Sequence, residues 1–214
     1  MLTVENLAVA IDRTPVLRGV HLTVPEGALM GLIGRNGAGK TTLLRSVMGL
    51  VRPTGGTVRL AGRDCTFDKP HRRVAAHIGY MPEDRRLVPG LSAADNVCIP
   101  AWSVGLDDVQ ARLQWIYRLM PEVEGFAPRR ALQLSGGQQK LVALARALMV
   151  GRRLLLLDEP FEGIAPALSQ RLLEVLQALK GEGLSILLAE SDDVHSAGLV
   201  DGAYTIERGV VTAR

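Results

Sequence analysis

The chain has 214 residues, of which 47% are hydrophobic, and this is enough for one full hydrophobic core in a globular protein of one domain or slightly more. Its 25 Lys and Arg exceed its 22 Asp and Glu by only three, and the charges are dispersed, so the net charge gives no indication of nucleic-acid binding. The two cysteines, Cys65 and Cys98, belong to no CxxC pair or Cys/His cluster, which argues against a disulfide framework and a zinc site.

The sequence has no stretch typical of a secretory signal or a membrane span. Its first residues, MLTVENLAVAIDRT, lack a basic segment followed by an apolar one, and no later apolar run approaches the ~18 residues of a spanning helix. We therefore expect any membrane association to depend on a partner chain.

The hydrophobic runs predict two kinds of β-strand. Short, partly alternating runs separated by Pro and Gly turns predict a small N-terminal antiparallel sheet at residues 2–11, 16–27 and 55–64. Nearly continuous apolar runs, typical of strands buried on both faces of a parallel sheet, occur at residues 28–34, 153–160 and 184–190.

Helices are predicted between the strands of the second kind. They cover residues 40–49, 141–150 and 166–181. The last begins at Pro166 and stops at Gly181, which is the usual punctuation of a helix. This alternation predicts an α/β fold with a mainly parallel sheet, to which the N-terminal antiparallel part is joined.

Residues 84–130 have a different pattern and are predicted to form a small inserted helical subdomain. Asp107 is the predicted N-cap of a helix that Pro121 ends. The apolar face of this helix consists of Val109, Leu113, Ile116, Tyr117 and Met120. Residues 1–83 and 131–214 would then form the α/β core of a single domain that spans residues 1–214.

Residues 34–41, GRNGAGKT, match the phosphate-binding pattern GxxxxGK[ST] between a predicted buried strand and a predicted helix. Glycines allow successive backbone N–H groups to point at phosphate oxygens, and the helix N-terminus adds partial positive charge. The predicted nucleotide-binding residues of this P-loop are Gly34, Arg35, Asn36, Gly37, Ala38, Gly39, Lys40, Thr41 and Thr42. Lys40 is expected to reach the β- and γ-phosphates and Thr41 to bind Mg²⁺; the alternative is a glycine-rich turn with an incidental lysine.

Asp158 and Glu159 follow an apolar strand, at the carboxyl end where α/β sheets place their ligands. Asp158 is predicted to hold Mg²⁺ through water, and Glu159 to polarise the water that attacks the γ-phosphate. An acidic pair in this position is also typical of a solvated strand end or a helix cap. Its combination with the P-loop favours the catalytic interpretation.

The P-loop, the segment LSGGQ at residues 134–138 and the strand ending in Asp-Glu closely resemble the ATP-binding subunits of ABC transporters over essentially the whole chain. This resemblance implies a P-loop NTPase fold with a RecA-like core, bound ATP and Mg²⁺, and two subunits that meet head to tail. Ser135, Gly136, Gly137 and Gln138 would then contact the nucleotide on the P-loop of the other subunit, since a serine hydroxyl and a helix N-terminus suit an anion. Without the other motifs, the two glycines would indicate only a turn before a helix.

Residues 79–97 and 159–168 resemble the smaller ATP-binding chain of branched-chain amino acid importers, and in part urea importers. Glu83 takes the place of the glutamine that most ABC subunits have, and it is expected either to bind Mg²⁺ or the attacking water, or to be a solvated loop residue. Glu162 lies in the loop where the two subunits would meet. It would pair with a cation of the partner or indicate a partner that is not identical.

Besides the loop with Glu162, two further positions depart from the family pattern. Ile11 stands where an aromatic residue commonly stacks on adenine, so weaker base contact is expected, unless Ile11 only packs within its strand. Ser191 stands where many ABC subunits have a switch histidine; it is expected to donate one hydrogen bond to a γ-phosphate oxygen and to hold Glu159 less well than imidazole does. Glu190 is expected to be exposed or to cap a helix, and His195 to lie on the surface.

The resemblance implies an ATP hydrolase that drives an importer from the cytoplasmic face of the cell membrane, to which it binds peripherally. The expected partners are a second ATP-binding chain, in a homodimer or a heterodimer, membrane permease subunits and, indirectly, a solute-binding protein; no nucleic acid is expected. The permease contact is expected within residues 83–102, where Leu91 and Trp102 are either exposed anchors or core residues. Because Ile11 and Ser191 weaken contacts to the nucleotide, slow ATP hydrolysis is expected of the isolated chain.

Two other functional classes share some of these motifs. A soluble ABC-type ATPase that remodels protein or nucleic acid would usually have a second cassette or a long insertion, and the sequence shows neither. A P-loop kinase would not need LSGGQ and would have an arginine-rich lid. The transported solute, whether an amino acid, urea or another small polar compound, is not predictable from this chain, because the resemblance implies that only the binding protein and the permease contact it.

Overall fold

The computed structural model describes all 214 residues, Met1–Arg214. The strands are β1 (Leu2–Ile11), β2 (Thr14–Val24), β3 (Leu29–Ile33), β4 (Gly55–Leu60), β5 (Arg63–Asp64), β6 (Ile78–Met81), β7 (Leu154–Asp158), β8 (Ser185–Glu190), β9 (Gly202–Glu207) and β10 (Val210–Ala213). The α-helices are α1 (Lys40–Val47), α2 (Pro70–Ala75), α3 (Ala93–Val104), α4 (Val109–Leu119), α5 (Pro121–Gly125), α6 (Gly136–Val150) and α7 (Pro166–Gly181), and a 3₁₀ turn covers Ala131–Gln133. None of these helices has the length and apolar composition that crossing a lipid bilayer requires.

A six-stranded sheet in the order β10-β9-β3-β8-β7-β6 forms the centre of the fold. All its neighbouring strands are parallel except β10, which pairs antiparallel with β9 at the edge. Every residue of β7 and β8 is buried, because these inner strands are covered on both faces, and this explains their continuous apolar sequences. The predicted mainly parallel α/β sheet is confirmed.

A second, antiparallel sheet in the order β2-β1-β4-β5 is built from the N-terminal part of the chain. Leu2 pairs with Val24 of β2 on one side and with Leu60 of β4 on the other. These strands contain the alternating runs that predict an antiparallel N-terminal part, which is therefore also confirmed.

Two hydrophobic clusters lie on opposite faces of the central sheet. Within β7, Leu154 and Leu156 belong to the cluster shared with α1 and the antiparallel sheet, whereas Leu155 and Leu157 belong to the cluster shared with α3, α6 and α7. Successive side chains of a strand point to opposite faces, so four consecutive leucines serve both clusters.

Three helices, α3, α4 and α5, lie within the predicted insertion at residues 84–130. The sequence pattern does not delimit α3, which packs along α6. This helix begins after Ser92, whose hydroxyl accepts a hydrogen bond from the backbone N–H of Asp95 at 3.0 Å, and the Asp95 side chain bonds back to Ser92. Such a reciprocal cap fixes the start of a helix.

The start and the end of α4 differ from the prediction. Its N-cap residue is Asp108 and not Asp107, and the Asp108 side chain does not cap the helix but forms an ion pair with Arg152 at 2.6 Å. Pro121 follows the end of α4 as predicted, but it also begins α5, because proline is accommodated in the first turn of a helix.

Candidate active site

The loop between β3 and α1 has a backbone that requires glycine at defined positions. Gly37 and Gly39 have φ angles of 80° and 114°, which residues with L side chains rarely adopt. At Gly34, a Cβ atom would lie 2.3 Å from the carbonyl oxygen of Ile206, so the end of the strand has no room for a side chain. These restrictions determine the path of the loop into α1, whose first residue is Lys40.

A depression of about 300 Å³ lies over this loop. Its lining consists of Val16, Asn36, Gly37, Gly39, Lys40, Thr41, Thr42, Glu83 and Glu159. Six of the predicted P-loop residues therefore line one site, together with two carboxylates from the loops after β6 and β7. The other three, Gly34, Arg35 and Ala38, shape the loop, in which the Ala38 N–H donates to the Arg35 carbonyl at 3.0 Å.

Lys40 is buried at the floor of this depression, with 5% of its surface exposed. Its ammonium donates to the carbonyl oxygen of Gly34 and to that of Arg35 at 3.3 Å, and it forms an ion pair with the Glu159 carboxylate at 2.9 Å. All three ammonium protons thus have acceptors. A phosphate group in the depression would compete with Glu159 for this cation.

Asp158, the last residue of β7, is fully buried beneath the same depression. Its carboxylate accepts hydrogen bonds from the hydroxyls of Thr41 and Tyr80, each at 3.2 Å. Burial raises the pKa of Asp158 to about 6, although these two donors lower it. A cation beside Thr41 would favour the charged form of the carboxylate and lower this pKa.

The oxygen atoms at this position fit Mg²⁺. The Thr41 hydroxyl and the Asp158 carboxylate lie side by side, and Glu83 lines the same depression. No group of three or more His, Cys, Asp and Glu side chains is placed to hold a metal ion by itself. Mg²⁺ usually binds through one or two carboxylates and completes its octahedron with water and substrate phosphates, so these residues fit a magnesium ion that arrives with a nucleotide.

Glu159 directly follows β7 and is only 3% exposed, so the alternative of a solvated strand end is wrong. Its φ angle of 51° lies in the left-handed region, which is uncommon for a residue with a side chain. The carboxylate accepts a hydrogen bond from the Ser191 hydroxyl at 2.8 Å and another from the Ser191 backbone N–H at 3.1 Å. Together with the Lys40 ammonium, these donors hold the carboxylate at the wall of the depression.

Ser191 contacts the Glu159 carboxylate through both its side chain and its backbone. The hydroxyl lies between Glu159 Oε1 and Asn36 Oδ1, 3.0 Å from the latter, and has only one proton to donate. The backbone N–H of Ser191 supplies the second donor to this carboxylate, and the weaker hold expected of a serine in place of imidazole stays a prediction.

Ile11 does not line the depression over the P-loop. It lies at the end of β1 with 45% of its surface exposed, and the apolar residue of the lining is Val16 of β2 instead. Sequence analysis does not single out Val16, because an apolar residue in an alternating strand indicates only packing. The adenine contact of Ile11 stays a prediction.

The expectation that Glu190 is exposed or caps a helix is wrong. Glu190 is the last residue of β8, is 7% exposed, and accepts a hydrogen bond from the backbone N–H of Phe161 at 3.3 Å. Burial and then the neighbouring Glu159 carboxylate raise the pKa of Glu190. His195 is exposed, as expected, and its ring stacks on Phe161 with the ring centroids 5.2 Å apart.

The segment LSGGQ forms the start of α6. Ser135 is the N-cap: its hydroxyl accepts a hydrogen bond from the Gln138 backbone N–H at 3.3 Å, and the Gln138 side chain accepts one from the Ser135 backbone N–H at 3.0 Å. The helix begins at Gly136, so both glycines belong to its first turn and do not precede it. Ser135 and Gly136 are exposed, and none of the four residues lines the depression of the chain's own P-loop.

A known protein family combines this P-loop, this acidic pair and this capped helix. The sequence profile described as ABC transporter matches residues 17–162, which is more than half of the chain.

The chain belongs to the ABC transporter family.

Relatives of this ABC protein extend over nearly its whole length. It is 32% identical over 209 residues to the high-affinity branched-chain amino acid transport ATP-binding protein BraG of Pseudomonas aeruginosa, covering 98% of this chain and 90% of BraG. It is 34% identical over 213 residues to the lipopolysaccharide export system ATP-binding protein LptB of Acidithiobacillus ferridurans, covering 99% of this chain and 88% of LptB. A solved structure, the dimeric structure of the bacterial ABC transporter cassette MJ0796, superposes with a TM-score of 0.87 at 25% identity, covering 99% of this chain and 96% of that one.

These comparisons confirm the resemblance that the sequence motifs indicate. The ABC protein is an ATP-binding subunit of a transporter and hydrolyses ATP to drive transport. The family excludes the alternative of a P-loop kinase. Because relatives named for uptake and for export are about equally similar, the identity values do not distinguish the transported substance.

Proposed function

We propose that this ABC protein is the motor subunit of an importer for branched-chain amino acids or other small polar solutes. The observation that carries the motor role is the separation of two anion-binding parts within one chain, and the choice of solute is supported by the similarity to BraG. The P-loop depression is open to solvent, and the capped start of α6, with exposed Ser135 and Gly136, faces solvent as well. A head-to-tail arrangement of two ATP-binding chains brings both parts to one nucleotide.

Each ATP would be bound by the P-loop of one subunit and by the start of α6 of the other. Ser135 uses an oxygen lone pair to cap its own helix, which leaves the hydroxyl proton free to donate to a phosphate oxygen. The backbone N–H groups of Gly136 and Gly137 and the positive end of the helix dipole would add to this contact. Gln138 would contribute by holding Ser135 in place.

Within one subunit, Lys40 and Glu159 would exchange partners when ATP binds. The Lys40 ammonium would turn from the Glu159 carboxylate to the β- and γ-phosphate oxygens, since these carry more negative charge. The released carboxylate stays bonded to Ser191 and would orient the attacking water and accept its proton.

Mg²⁺, when bound with ATP, would neutralise charge on the phosphate oxygens. Thr41 would bind the ion directly, and Asp158 would bind through water or as a ligand. Glu83 would complete the site from the loop after β6, where its exposed carboxylate faces the depression.

We propose a heterodimer in the cell. The Glu162 side chain is exposed in the loop where the two subunits would meet. In a symmetric homodimer two copies of this charge would approach the same two-fold axis, and like charges in one interface oppose association. A second, different ATP-binding chain with a cation at this position removes the conflict.

The permease would dock in a groove of about 330 Å³ beside α3. Its lining is mostly apolar and includes Ile99 and Pro100. Three arginines, Arg45, Arg86 and Arg146, also line the groove, so the groove suits an apolar segment of the permease that has a carboxylate.

Leu91 and Trp102, the two anchors expected within residues 83–102, do not line this groove, but they are 37% and 55% exposed, so neither is a core residue and both would extend the permease contact. Docked there, the chain would lie at the cytoplasmic face of the cell membrane, and a solute-binding protein would act on it only through the permease. The proposal involves no nucleic acid.

Lipopolysaccharide export is a second candidate, because LptB is as similar to this chain as BraG. The two candidates differ in the partner: an importer requires a solute-binding protein, whereas an exporter of lipopolysaccharide must extract a lipid. The purified complex of this chain with its permease, reconstituted in vesicles, should accumulate branched-chain amino acids in an ATP-dependent manner. Lipopolysaccharide release without amino acid uptake would favour the second candidate.

The head-to-tail arrangement is tested with the variant Glu159→Gln, which keeps the size of the side chain and removes the water-polarising charge. In the presence of Mg·ATP and the second ATP-binding chain it should form a stable pair, and light scattering should show the sum of the 23.0 kDa of this chain and the mass of the partner chain. Adding Gly136→Asp, which places a negative charge next to the partner's phosphates, should abolish the pair. Pairing that survives this second substitution would contradict the arrangement.

A further inference from the structure

One buried side chain connects the start of α6 to the loop that contains Glu159. Lys140 is 3% exposed, and its ammonium lies 2.8 Å from the carbonyl oxygen of Glu159 and 3.2 Å from that of Pro160. It also donates to the carbonyl oxygen of Glu162. The three protons of the ammonium thus bind three carbonyl groups of one loop, residues 159–162.

This loop needs external support. Glu159 has a φ angle of 51°, and a side chain in this region persists only where the surrounding structure holds it. The main chain contributes two bonds, from the Glu159 N–H to the Ala189 carbonyl at 2.9 Å and from the Glu162 N–H to the Glu159 carbonyl at 3.3 Å. The carbonyl groups of Pro160 and Glu162 have no hydrogen-bond donor other than Lys140.

A buried ammonium group contributes little to the net stability of a fold, because its removal from water costs free energy. Burial lowers the pKa of Lys140, and the carboxylates of Glu190 and Glu162 oppose this shift. An apolar side chain of similar volume often gives equal or greater stability than a buried charge. The position of Lys140 therefore suggests a role in aligning the loop beyond a contribution to folding.

The first turn of α6 also contacts α7, the helix that follows residues 159–162 in the chain. A Cβ atom at Gly137 would lie 2.7 Å from Leu168 Cδ2 of α7, so the first turn of α6 packs closely on the helix that follows residues 159–162. Lys140 lies five residues after the N-cap Ser135, a distance of about 7.5 Å along the helix axis. A displacement of the helix start would therefore reach the loop through the hydrogen bonds of Lys140 and the contact between Gly137 and Leu168.

We propose that Lys140 is a positioning residue for Glu159, and that it couples the contact between α6 and the partner's nucleotide to the alignment of Glu159 in its own chain. Closure of the partner's ATP on Ser135 would shift α6, and the Lys140 ammonium would carry the carbonyl groups of residues 159–162 with it. The ATP on the P-loop of one subunit would then align residues 159–162 of the other subunit. This inference depends on the proposed head-to-tail arrangement.

The test compares Lys140→Met, which removes the ammonium at similar volume, and Lys140→Gln, which keeps two N–H donors without the charge. The matched control is Lys180→Met. Lys180 also lies on a helix, donates to a carbonyl, that of Leu199 at 2.9 Å, and forms an ion pair with Asp201 at 2.6 Å, but it is not part of the site.

The first measurement is ATP hydrolysis by the assembled pair of ATP-binding chains. Lys140→Met should lower kcat by roughly 100-fold, since a misplacement of about 1 Å at a reacting group has an effect of this size. Lys140→Gln should have an intermediate kcat, and Lys180→Met the wild-type kcat. The KM for ATP and the dissociation constant of ATP from the isolated chain should change by less than about two-fold in all three variants, because none of these residues contacts the nucleotide.

The second measurement is hydrogen exchange of the backbone N–H groups of Glu159, Phe161, Glu162 and Gly163 in the isolated chain and in the ATP-bound pair. In the wild type, pairing should slow this exchange. In Lys140→Met, exchange should be about 10-fold faster in the isolated chain, as the loss of a charged hydrogen-bond donor implies, and pairing should no longer slow it.

Several results would overturn the inference. These are a kcat for Lys140→Met within about two-fold of the wild type, an equal loss for Lys180→Met, or a loss that follows only from a raised KM. If Lys140→Met does not fold, the same measurements on Lys140→Gln decide. A wild type that forms no ATP-bound pair would contradict the proposed function. If the wild type pairs and Lys140→Met pairs and hydrolyses ATP equally well, only the role of Lys140 is contradicted.

Discussion

Replacing Ser191 with alanine is expected to lower kcat for ATP hydrolysis by roughly 10-fold and to leave the KM for ATP nearly unchanged. The substitution removes the hydroxyl whose oxygen lies 2.8 Å from Glu159 Oε1. It keeps the backbone N–H 3.1 Å from Oε2 and the Lys40 ammonium 2.9 Å from Oε1. One of three donors to this carboxylate is therefore lost.

The magnitude follows from the kind of hydrogen bond that is removed. A hydrogen bond to a charged group contributes about 1.5–3 kcal/mol, and the lower end applies to Glu159 because the backbone N–H of Ser191 continues to hold the carboxylate. A difference of about 1.4 kcal/mol corresponds to a factor of about 10 in rate. The loss falls on kcat because, in the proposed mechanism, the carboxylate orients water only in the transition state, after Lys40 has turned to the phosphate.

The assay is phosphate release by the assembled pair of ATP-binding chains over a range of ATP concentrations. Ser191→Thr, which keeps a hydroxyl, is the control and should retain most of the wild-type kcat. In a Glu159→Gln background, Ser191→Ala should have little further effect, because the charge that the hydroxyl holds is absent. Equal losses for the alanine and threonine variants, or a kcat within about two-fold of the wild type for Ser191→Ala, would refute the reasoning.

Three further predictions concern stability and coupling. Because burial raises the pKa of Glu190 above its ordinary value of 4.5, the folded chain keeps a proton that the unfolded chain has lost, so the wild type should lose stability as the pH rises above about 4.5. Glu190→Gln should lack this loss and exceed the wild type by on the order of 1 kcal/mol near pH 7, measured by urea unfolding across the pH range. Gly34→Ala should destabilise the chain by about 1–3 kcal/mol, since its Cβ would lie 2.3 Å from the Ile206 carbonyl oxygen, and should also weaken ATP binding, as equilibrium unfolding and ATP titration would show. Leu91→Ala combined with Trp102→Ala should abolish coupled transport in reconstituted vesicles while ATP hydrolysis by the isolated pair of ATP-binding chains continues.

The first two of these predictions have a control residue in the chain, and each of the three has an outcome that would contradict it. Exposed Glu207, replaced by glutamine, should not alter the pH dependence of stability, and a parallel pH dependence in Glu190→Gln and the wild type would contradict the first prediction. Gly90, where a Cβ atom meets nothing within 4 Å, should tolerate alanine without loss, so equal unfolding midpoints for Gly34→Ala and Gly90→Ala would contradict the second. Undiminished transport after substitution of the two exposed apolar residues would exclude them from the permease contact.

Local sequence patterns predict the nucleotide loop well because their physical causes are local. The glycines of residues 34–39 are required by backbone angles and by a close approach to a neighbouring strand, and both requirements are met within one loop. The bounds of α7 are also predicted to the residue, since Pro166 begins it and Gly181 ends it. Where two aspartates are consecutive, as before α4, the same approach misses the N-cap by one residue, and the Asp108 side chain there forms an ion pair with Arg152 and does not cap the helix.

The sequence by itself determined the α/β class, the P-loop, the acidic pair after β7 and the segment LSGGQ before a helix, since each depends on residues that are adjacent in the chain. Only the tertiary structure decided that Glu190 is buried, that Tyr80 bonds to Asp158, and that Lys140 supports the loop of Glu159. These facts arise where the ends of separate strands and a helix come together. The identity of a charged residue does not specify whether its side chain lies in water or beneath a packed helix. Only the packing of distant segments decides which of the two environments it occupies.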